Sequence, residues 1–381
     1  MSTTSSEGHQ RPHDAATAAR SSISNQTTAA SDVATEPRAA QRWQAMMTPS
    51  RLGAVALVAV SLVAGPSLAG AFWTRILTVC VIYAVAAAGT GLLYGRLGLV
   101  SLGQVSVLGI GAWVTLRVGH AGTPFEVALL AGTVASAVVG VVVGLPALRL
   151  SGLNLAIVTL MLAGAFEVVF NITRFPNGGS GLQGRVSSAQ VALPRTTLAT
   201  SDAAYFRYVV LFAAVIFALL AAHLVRRPGR AWAAIRQSEA GALASGVGTV
   251  RYRLWALAIV SATTGLAGGL LAGVDGLVDP VTFPASQSIL LFATVLVGGA
   301  FSLWGALIAG FLIQGVPRLL SEIGVSGNLV FVILGLATVQ AIITSPDGAA
   351  GQLGRLFARI GGRPRPGPPE PPDAPADRGA S

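Results

Sequence analysis

The sequence predicts an all-α protein, a polytopic membrane helical bundle of about 8–10 transmembrane helices. Of its 381 residues, 53% are hydrophobic and only 10% are charged, and the mean hydropathy is +0.68. A soluble protein carries about a quarter charged residues. Long charge-free runs recur along the chain, and roughly 20 helical residues suffice to cross the ~30 Å hydrocarbon core of a bilayer. Charge content and run length together indicate a membrane protein.

The charge-free runs give the elements of the bundle in order. They are Leu52–Thr74, Ile76–Gly95, Leu97–Leu116, Val127–Leu148, Leu150–Phe166, Tyr208–Val225, Leu254–Val274, Pro280–Pro317 and Ile323–Pro346. The eighth run is too long for one helix, and Gly298, Gly299 and Ser302 lie near its middle. We interpret it as two spans, which gives ten spans in total, with nine or eight as alternatives.

All 25 basic residues are arginine, and the chain has no lysine. A Walker A phosphate-binding loop requires a lysine, and so does catalysis through a Schiff base. The sequence therefore excludes both from this chain. If nucleotide hydrolysis drives the protein, we expect the hydrolase to be another polypeptide.

The arginines are distributed unequally between the two sides of the predicted bundle. With ten spans and the N-terminus inside, 18 of the 25 arginines fall in inner segments and 7 in outer ones. This asymmetry follows the positive-inside rule, which accounts for the net charge of +10 without a nucleic-acid partner. It places the basic segment 226–253, which holds six arginines and the single acid Glu239, in the cytoplasm.

Polar tails flank the predicted membrane domain at 49–346. Residues 1–48 are rich in Ser, Thr, Ala and Gln, a composition that predicts a disordered cytoplasmic tail. Residues 347–381 form a Pro- and Arg-rich tail that is also expected to be disordered. The lone Cys80 excludes an intrachain disulfide. The four histidines, His9, His13, His120 and His223, show no metal-ligand spacing. We predict neither a metal nor a cofactor.

Polar side chains in two of the runs are candidates for a substrate pathway. The motif GRLGLVSLGQVSVLGIGAW at 95–113 carries Ser101 and Gln104 between glycines. Glycines allow helices to pack closely in lipid, and they also open a helix where it lines a cavity. Close packing alone is one interpretation, and a pathway at Ser101 and Gln104 is the other. The fifth run adds Asn154 and Thr159 near its start.

Glu167 lies toward the outer end of the fifth run. An ionisable side chain inside a span is a functional candidate. Near the interface, however, this carboxylate can instead reach water or pair with Arg174.

Within the basic segment, the stretch IRQSEAGALASGVG at 235–248 predicts a short helix that ends at glycine. Alanine favours the helix, and Gly246 or Gly248 can supply a left-handed C-cap. A helix that docks into a partner's groove and a solvated loop that only fixes topology are both compatible with this pattern.

The basic segment resembles the EAA-type coupling loop of ABC importer permeases, in particular that of the bacterial branched-chain amino-acid permease family. The similar positions are Gly229-Arg230-Ala231, Ala234-Ile235-Arg236, Glu239, Ala242, Ala244, Gly246 and Arg251-Tyr252-Arg253. Other similar motifs are GLVSLGQ at 98–104, GIGAW at 109–113, LRLSGLNLAIVTL at 148–160, GGSGL at 178–182, GLAGGLLA at 265–272 and VLVGGAFSLWGALIAGFLI at 295–313. The resemblance covers about residues 75–345.

The resemblance implies a multi-pass permease subunit of a bacterial inner membrane that is not itself an enzyme. Its implied partners, besides membrane lipid, are a second homologous permease, two ATP-binding subunits and an extracytoplasmic substrate-binding protein. Coupling to the ATPase would fall to Arg236, Glu239, Ala242, Gly246 and Arg251.

Two departures from the family pattern keep alternatives open. Gln237, Ser238 and Leu243 stand where the family loop is more acidic, and Gly164 stands where its fifth span commonly has an acid. Branched-chain or other hydrophobic amino acids are the expected solutes, and urea or short amides on the same machinery are the alternative. An ion-coupled secondary carrier is disfavoured, because no carboxylate is evident near the membrane midplane.

Overall fold

The computed structural model describes residues 70–352 except 149, 151, 180–182, 185–190, 325–326 and 345–347. All regular secondary structure in this part is helical, which confirms the all-α prediction. The predicted tail at 1–48 lies outside the described residues, as do nearly all of the first apolar run and of the tail at 347–381.

The helices follow one another with short connections over most of the chain. The α-helices are α1 Ala71–Leu92, α2 Gln104–Gly119, α3 Phe125–Ala147, α4 Leu153–Thr173, α5 Asp202–Val225, α6 Arg227–Gln237, α7 Glu239–Ala244, α8 Thr249–Asp275, α9 Ala285–Gly298, α10 Leu303–Gly310, α11 Val316–Glu322 and α12 Gly327–Thr344. A π-helical turn at Leu93–Leu97 extends α1, and another at Phe311–Gly315 joins α10 to α11. A 3₁₀ turn at Pro280–Thr282 precedes α9.

Seven helical stretches within the described part are long and apolar enough to cross a membrane. They are Ala71–Leu97, Phe125–Pro146, Leu153–Thr173, Asp202–Val225, Thr249–Asp275, Pro280–Gly298 and Leu303–Glu322. The last two confirm that the eighth apolar run contains two spans. The ninth run holds α12, which is 18 residues long. The chain is thus a multi-pass helical membrane protein.

The third apolar run, Leu97–Leu116, differs from its prediction as one continuous span. Its helix, α2, has 16 residues, or about 24 Å at the helical rise, less than the ~30 Å hydrocarbon core. The preceding segment Gly98–Gly103 is not helical, and Gly98 adopts a left-handed conformation with φ of 69°. The run is therefore interrupted where Gly98 adopts a conformation that a helix does not allow. Such an interruption is tolerated in a membrane only where nearby groups satisfy the backbone amides and carbonyls that it leaves without helical partners.

Contacts between helix ends join residues that the arginine distribution assigns to one side of the membrane. On the predicted outer side, Arg75 before the second run pairs with Asp275 at the end of α8. On the predicted inner side, Arg236 of the basic segment donates to the carbonyl of Tyr94 at 3.0 Å. The span order thus agrees with the relative sidedness that the arginines predict.

The centre of the bundle is a close packing of α2, α3 and α8 on small residues. A Cβ at Gly111 of α2 would overlap the backbone of Gly265 in α8, and a Cβ at Gly268 would overlap the carbonyl oxygen of Leu108. Such backbone approach is how helices associate in lipid, where packing replaces the hydrophobic effect. The glycine motifs of the sequence thus bring the middle of α2 against the second half of α8.

Candidate functional site

The N-terminus of α2 is held inside the bundle by polar side chains of three other helices. The Leu102 amide donates to Thr159 Oγ1 of α4 at 2.9 Å. The Val105 amide donates to Ser288 Oγ of α9 at 3.2 Å. Thr264 Oγ1, near the middle of α8, donates to Gln104 Oε1 at 3.1 Å. The first two bonds give partners to backbone amides that the helix break leaves without intrahelical ones, and the third holds the side chain of the first residue of α2.

A cleft opens beside this helix start. It encloses about 650 Å³, counting the volume open at its mouth. Its polar lining residues are Ser101, Gln104, Ser106, Thr159 and Ser261. Apolar side chains make up most of the rest, including Leu93, Leu99, Val139, Val143, Leu155, Leu162, Phe166 and Leu257. Centres of water molecules fit into only about 60 Å³ of it, which is room for a few waters. The cleft is therefore narrow and mainly apolar, with a few polar side chains in its lining.

Three of the four side chains predicted for a substrate pathway meet in this cleft. Ser101, Gln104 and Thr159 line it together, whereas Asn154 is exposed and does not. Ser261 of α8 is 2% exposed and lines the same cleft, yet sequence reasoning missed it. A serine within an apolar run gives no signal of which helix face it occupies. Only the packing of α8 on α3 turns it toward the cleft.

Glu167 has a structural partner at the outer end of α4. Its Oε2 accepts a hydrogen bond from the Ala285 amide at 2.7 Å. Ala285 is the first residue of α9, so the carboxylate satisfies one of the amides that every helix start leaves without an intrahelical partner. A negative charge there also complements the positive end of the helix dipole. Among the interpretations of Glu167, this contact favours a structural role at the interface.

The basic segment folds into two short helices instead of the single helix predicted over 235–248. α6 ends at Gln237, and Ser238 Oγ accepts from the Gly241 amide at 3.1 Å, which starts α7. The prediction of one helix is wrong because serine is a strong N-cap, and Ser238 starts a second helix. Glycine does end α7, since Gly246 has a φ of 77°. The Val247 amide bonds to the Ala242 carbonyl at 2.9 Å and the Gly246 amide to the Leu243 carbonyl at 3.0 Å, a Schellman motif.

The five residues predicted to couple this segment to an ATPase fall into two groups. Arg236, Glu239 and Ala242 are held by the chain itself. Arg236 reaches the end of α1, Glu239 accepts from Arg253 Nη2 at 2.8 Å, and Ala242 is buried. Gly246 and Arg251 are exposed and free to meet another surface. Their role in coupling stays a prediction.

A buried tryptophan fixes the segment beneath the bundle. Trp232 of α6 is fully buried, and its Nε1 donates to the carbonyl of Tyr252 in α8 at 2.9 Å. This bond and the Glu239–Arg253 pair attach α6 and α7 to the first turn of α8. The segment is consequently a defined platform at one end of the bundle, with Leu243 exposed on it.

Comparison with known proteins identifies the family. The family described as "Branched-chain amino acid transport system / permease component" matches residues 72–342. The high-affinity branched-chain amino acid transport system permease protein LivM of Salmonella typhimurium is 30% identical over 320 residues, which cover 78% of this chain and 74% of that protein. LivM of Escherichia coli K12 is 29% identical over 319 residues, with the same coverage. No solved structure matches the chain. The predicted resemblance is confirmed: the chain belongs to the family of permease components of branched-chain amino acid transport systems.

Proposed function

We propose that this chain is the membrane-spanning permease subunit of an ABC importer that moves branched-chain amino acids inward. As a family member it is a multi-pass inner-membrane subunit that works with other subunits of a transport system. The finer proposal adds a second homologous permease, two ATP-binding subunits and an extracytoplasmic substrate-binding protein. The absence of lysine supports ATP hydrolysis on separate chains, because a Walker A loop needs that residue.

The proposed substrate is inferred from the side chains that line the cleft beside α2. Its lining is mostly Leu, Val and Phe side chains, with four hydroxyls and one amide among them. A solute with an apolar side chain and a polar head group matches such a lining, since apolar contacts favour a branched side chain and a few polar groups can orient the head group. Urea has no apolar part to place against these side chains. The lining therefore favours a hydrophobic amino acid over urea or a short amide.

Transport by the reconstituted complex tests the proposal. The chain is produced with the permease, ATP-binding and binding-protein genes that neighbour its own and is placed in proteoliposomes. We expect ATP-dependent uptake of labelled leucine, isoleucine and valine, and no uptake of urea. Urea uptake without leucine uptake would support the alternative solute. Leucine uptake that needs an ion gradient and no ATP would identify a secondary carrier.

Filling the cleft is expected to block transport without unfolding the protein. Ser101→Leu places a larger apolar side chain in a space that now admits only a few waters. We expect uptake to fall at least about tenfold, as steric closure of a narrow pathway predicts. Membrane level and thermal stability should stay near those of the parent.

Asn171→Leu provides the matched control for Ser101→Leu. Asn171 is exposed near the outer end of α4, and its Nδ2 bonds only to the carbonyl of Glu167 among the contacts described. Uptake should survive this substitution. Equal loss of uptake in both variants would remove the cleft from the pathway.

A further inference from the structure

The π-helical turn at the end of α1 leads directly into the cleft. Leu93–Leu97 forms this turn, and the Gly98 and Leu99 amides bond back to the Tyr94 and Leu93 carbonyls at 3.0 and 3.1 Å. The next residues, Gly98–Gly103, are the non-helical segment, and Leu99, Ser101 and Gly103 line the cleft. Turns of this kind interrupt a helix and recur at functional sites. Any displacement of the turn therefore moves one wall of the cleft.

One side chain of the basic segment forms hydrogen bonds to this turn. Arg236, in the last turn of α6, donates through Nη1 to the Tyr94 carbonyl at 3.0 Å and also to the Gly95 carbonyl. Both acceptors are backbone atoms of the π-helical turn. A guanidinium is suited to this task because its donors are fixed in a planar fork, whereas a lysine ammonium is a single point charge on a flexible stem.

The same guanidinium also stacks on the turn between α9 and α10. Its Cζ lies 4.8 Å from the centre of the Phe301 ring and 5.9 Å from that of Tyr94. The turn that carries Phe301 touches the π-helical turn directly, since a Cβ at Gly95 would overlap the carbonyl oxygen of Ala300. Arg236 thus joins three pieces of backbone: α6, the end of α1 and the connection before α10.

We infer that Arg236 is the positioning residue that links the basic segment to the wall of the cleft. Its hydrogen bonds to the π-helical turn hold segment Gly98–Gly103 in the position that keeps the cleft narrow. A force on α6 and α7 reaches Tyr94 and Gly95 through the Arg236 guanidinium and then moves Leu99 and Ser101. The inference rests on the proposed function, because it takes α6 and α7 as the part that the ATP-binding subunits displace. It adds the route by which that displacement opens the pathway.

Accessibility of Ser101 measures this link without any transported solute. Ser101→Cys is made in a Cys80→Ala background, so that the introduced thiol is the only one in the chain. Inside-out membrane vesicles containing the complete complex, without nucleotide, are treated with a membrane-impermeant maleimide. We expect slow labelling with Arg236 in place. Arg236→Ala and Arg236→Lys should both raise the rate about tenfold, the population shift expected when charge-assisted hydrogen bonds are lost.

Two further variants decide between a link and other roles of Arg236. Arg230→Ala removes an exposed arginine from the same helix and should leave the labelling rate unchanged. Phe301→Leu removes the ring under the guanidinium from outside the basic segment and should raise the rate by itself. Combined with Arg236→Ala it should add little, since the two side chains act through one contact.

The outcomes separate this inference from the proposed function. An unchanged labelling rate in Arg236→Ala, Arg236→Lys and Phe301→Leu overturns the link. So does loss of the ATP-binding subunits from Arg236→Ala with labelling at the parent rate, because Arg236 would then be a docking residue. Uptake by the parent complex is measured in parallel. If it takes up no branched-chain amino acid, the proposed function fails whatever the labelling shows.

Discussion

Gly268→Val is expected to abolish the folded permease. A side chain at this position would collide with the Leu108 carbonyl oxygen and the Ala112 amide of α2, and neither backbone can move without separating the two helices. Overpacking in a core typically costs about 1–3 kcal/mol when side chains can adjust. Here only backbone can adjust, so the loss should exceed that range. We expect no monodisperse peak in size-exclusion chromatography of the detergent-solubilised protein.

Gly335→Val is the matched control for this prediction. Gly335 is exposed on α12, and a Cβ there would meet no atom within 4 Å. The variant carries the same change in another apolar helix, and we expect a peak and a melting temperature close to those of the parent. A monodisperse Gly268→Val protein with the parent's melting temperature would contradict the packing of α2 on α8.

Gly246→Trp is expected to remove the ATP-binding subunits from the complex while the chain stays in the membrane. Gly246 has a φ of 77°, a conformation that costs a residue with a side chain roughly 1–2 kcal/mol. The strain loosens the end of α7, and the indole projects from an exposed platform. Both effects act on the surface proposed to enter the ATPase. Co-purification of the ATP-binding subunits with the tagged permease is the measurement.

Gly122→Trp tests whether loss of the ATP-binding subunits depends on where the tryptophan is placed or only on replacing a glycine of positive φ with tryptophan. Gly122 also has a positive φ, 89°, and open space around its Cα, but it lies in the turn between α2 and α3 on the predicted outer side. We expect full recovery of the ATP-binding subunits with this variant. Equal loss from both variants would mean that strain, and not docking, explains the result. Full recovery with Gly246→Trp would contradict the coupling role of Gly246.

Much of the candidate site could be predicted because its residue types are unusual in their setting. Polar side chains in a charge-poor run are conspicuous, and Ser101, Gln104 and Thr159 do meet in the cleft. The contacts of Glu167 and Ser261 could not be predicted, since each depends on which residue of another helix lies opposite. Glu167 meets Ala285, 118 positions away. Periodicity within one run carries no information on such long-range pairs.

The all-α membrane fold, the family and the requirement that any Walker A loop lie on another chain could all be read from the amino-acid sequence. These follow from hydropathy, motif order and the absence of lysine, which are local properties of the chain. Three features follow from the packing of the bundle: α2 begins inside it, Ser238 divides the basic segment, and Arg236 donates to the π-helical turn after α1. A helix break in a bilayer persists only where neighbouring side chains satisfy the freed backbone. Those neighbours come from distant parts of the chain, so the packed bundle alone selects the position of the break.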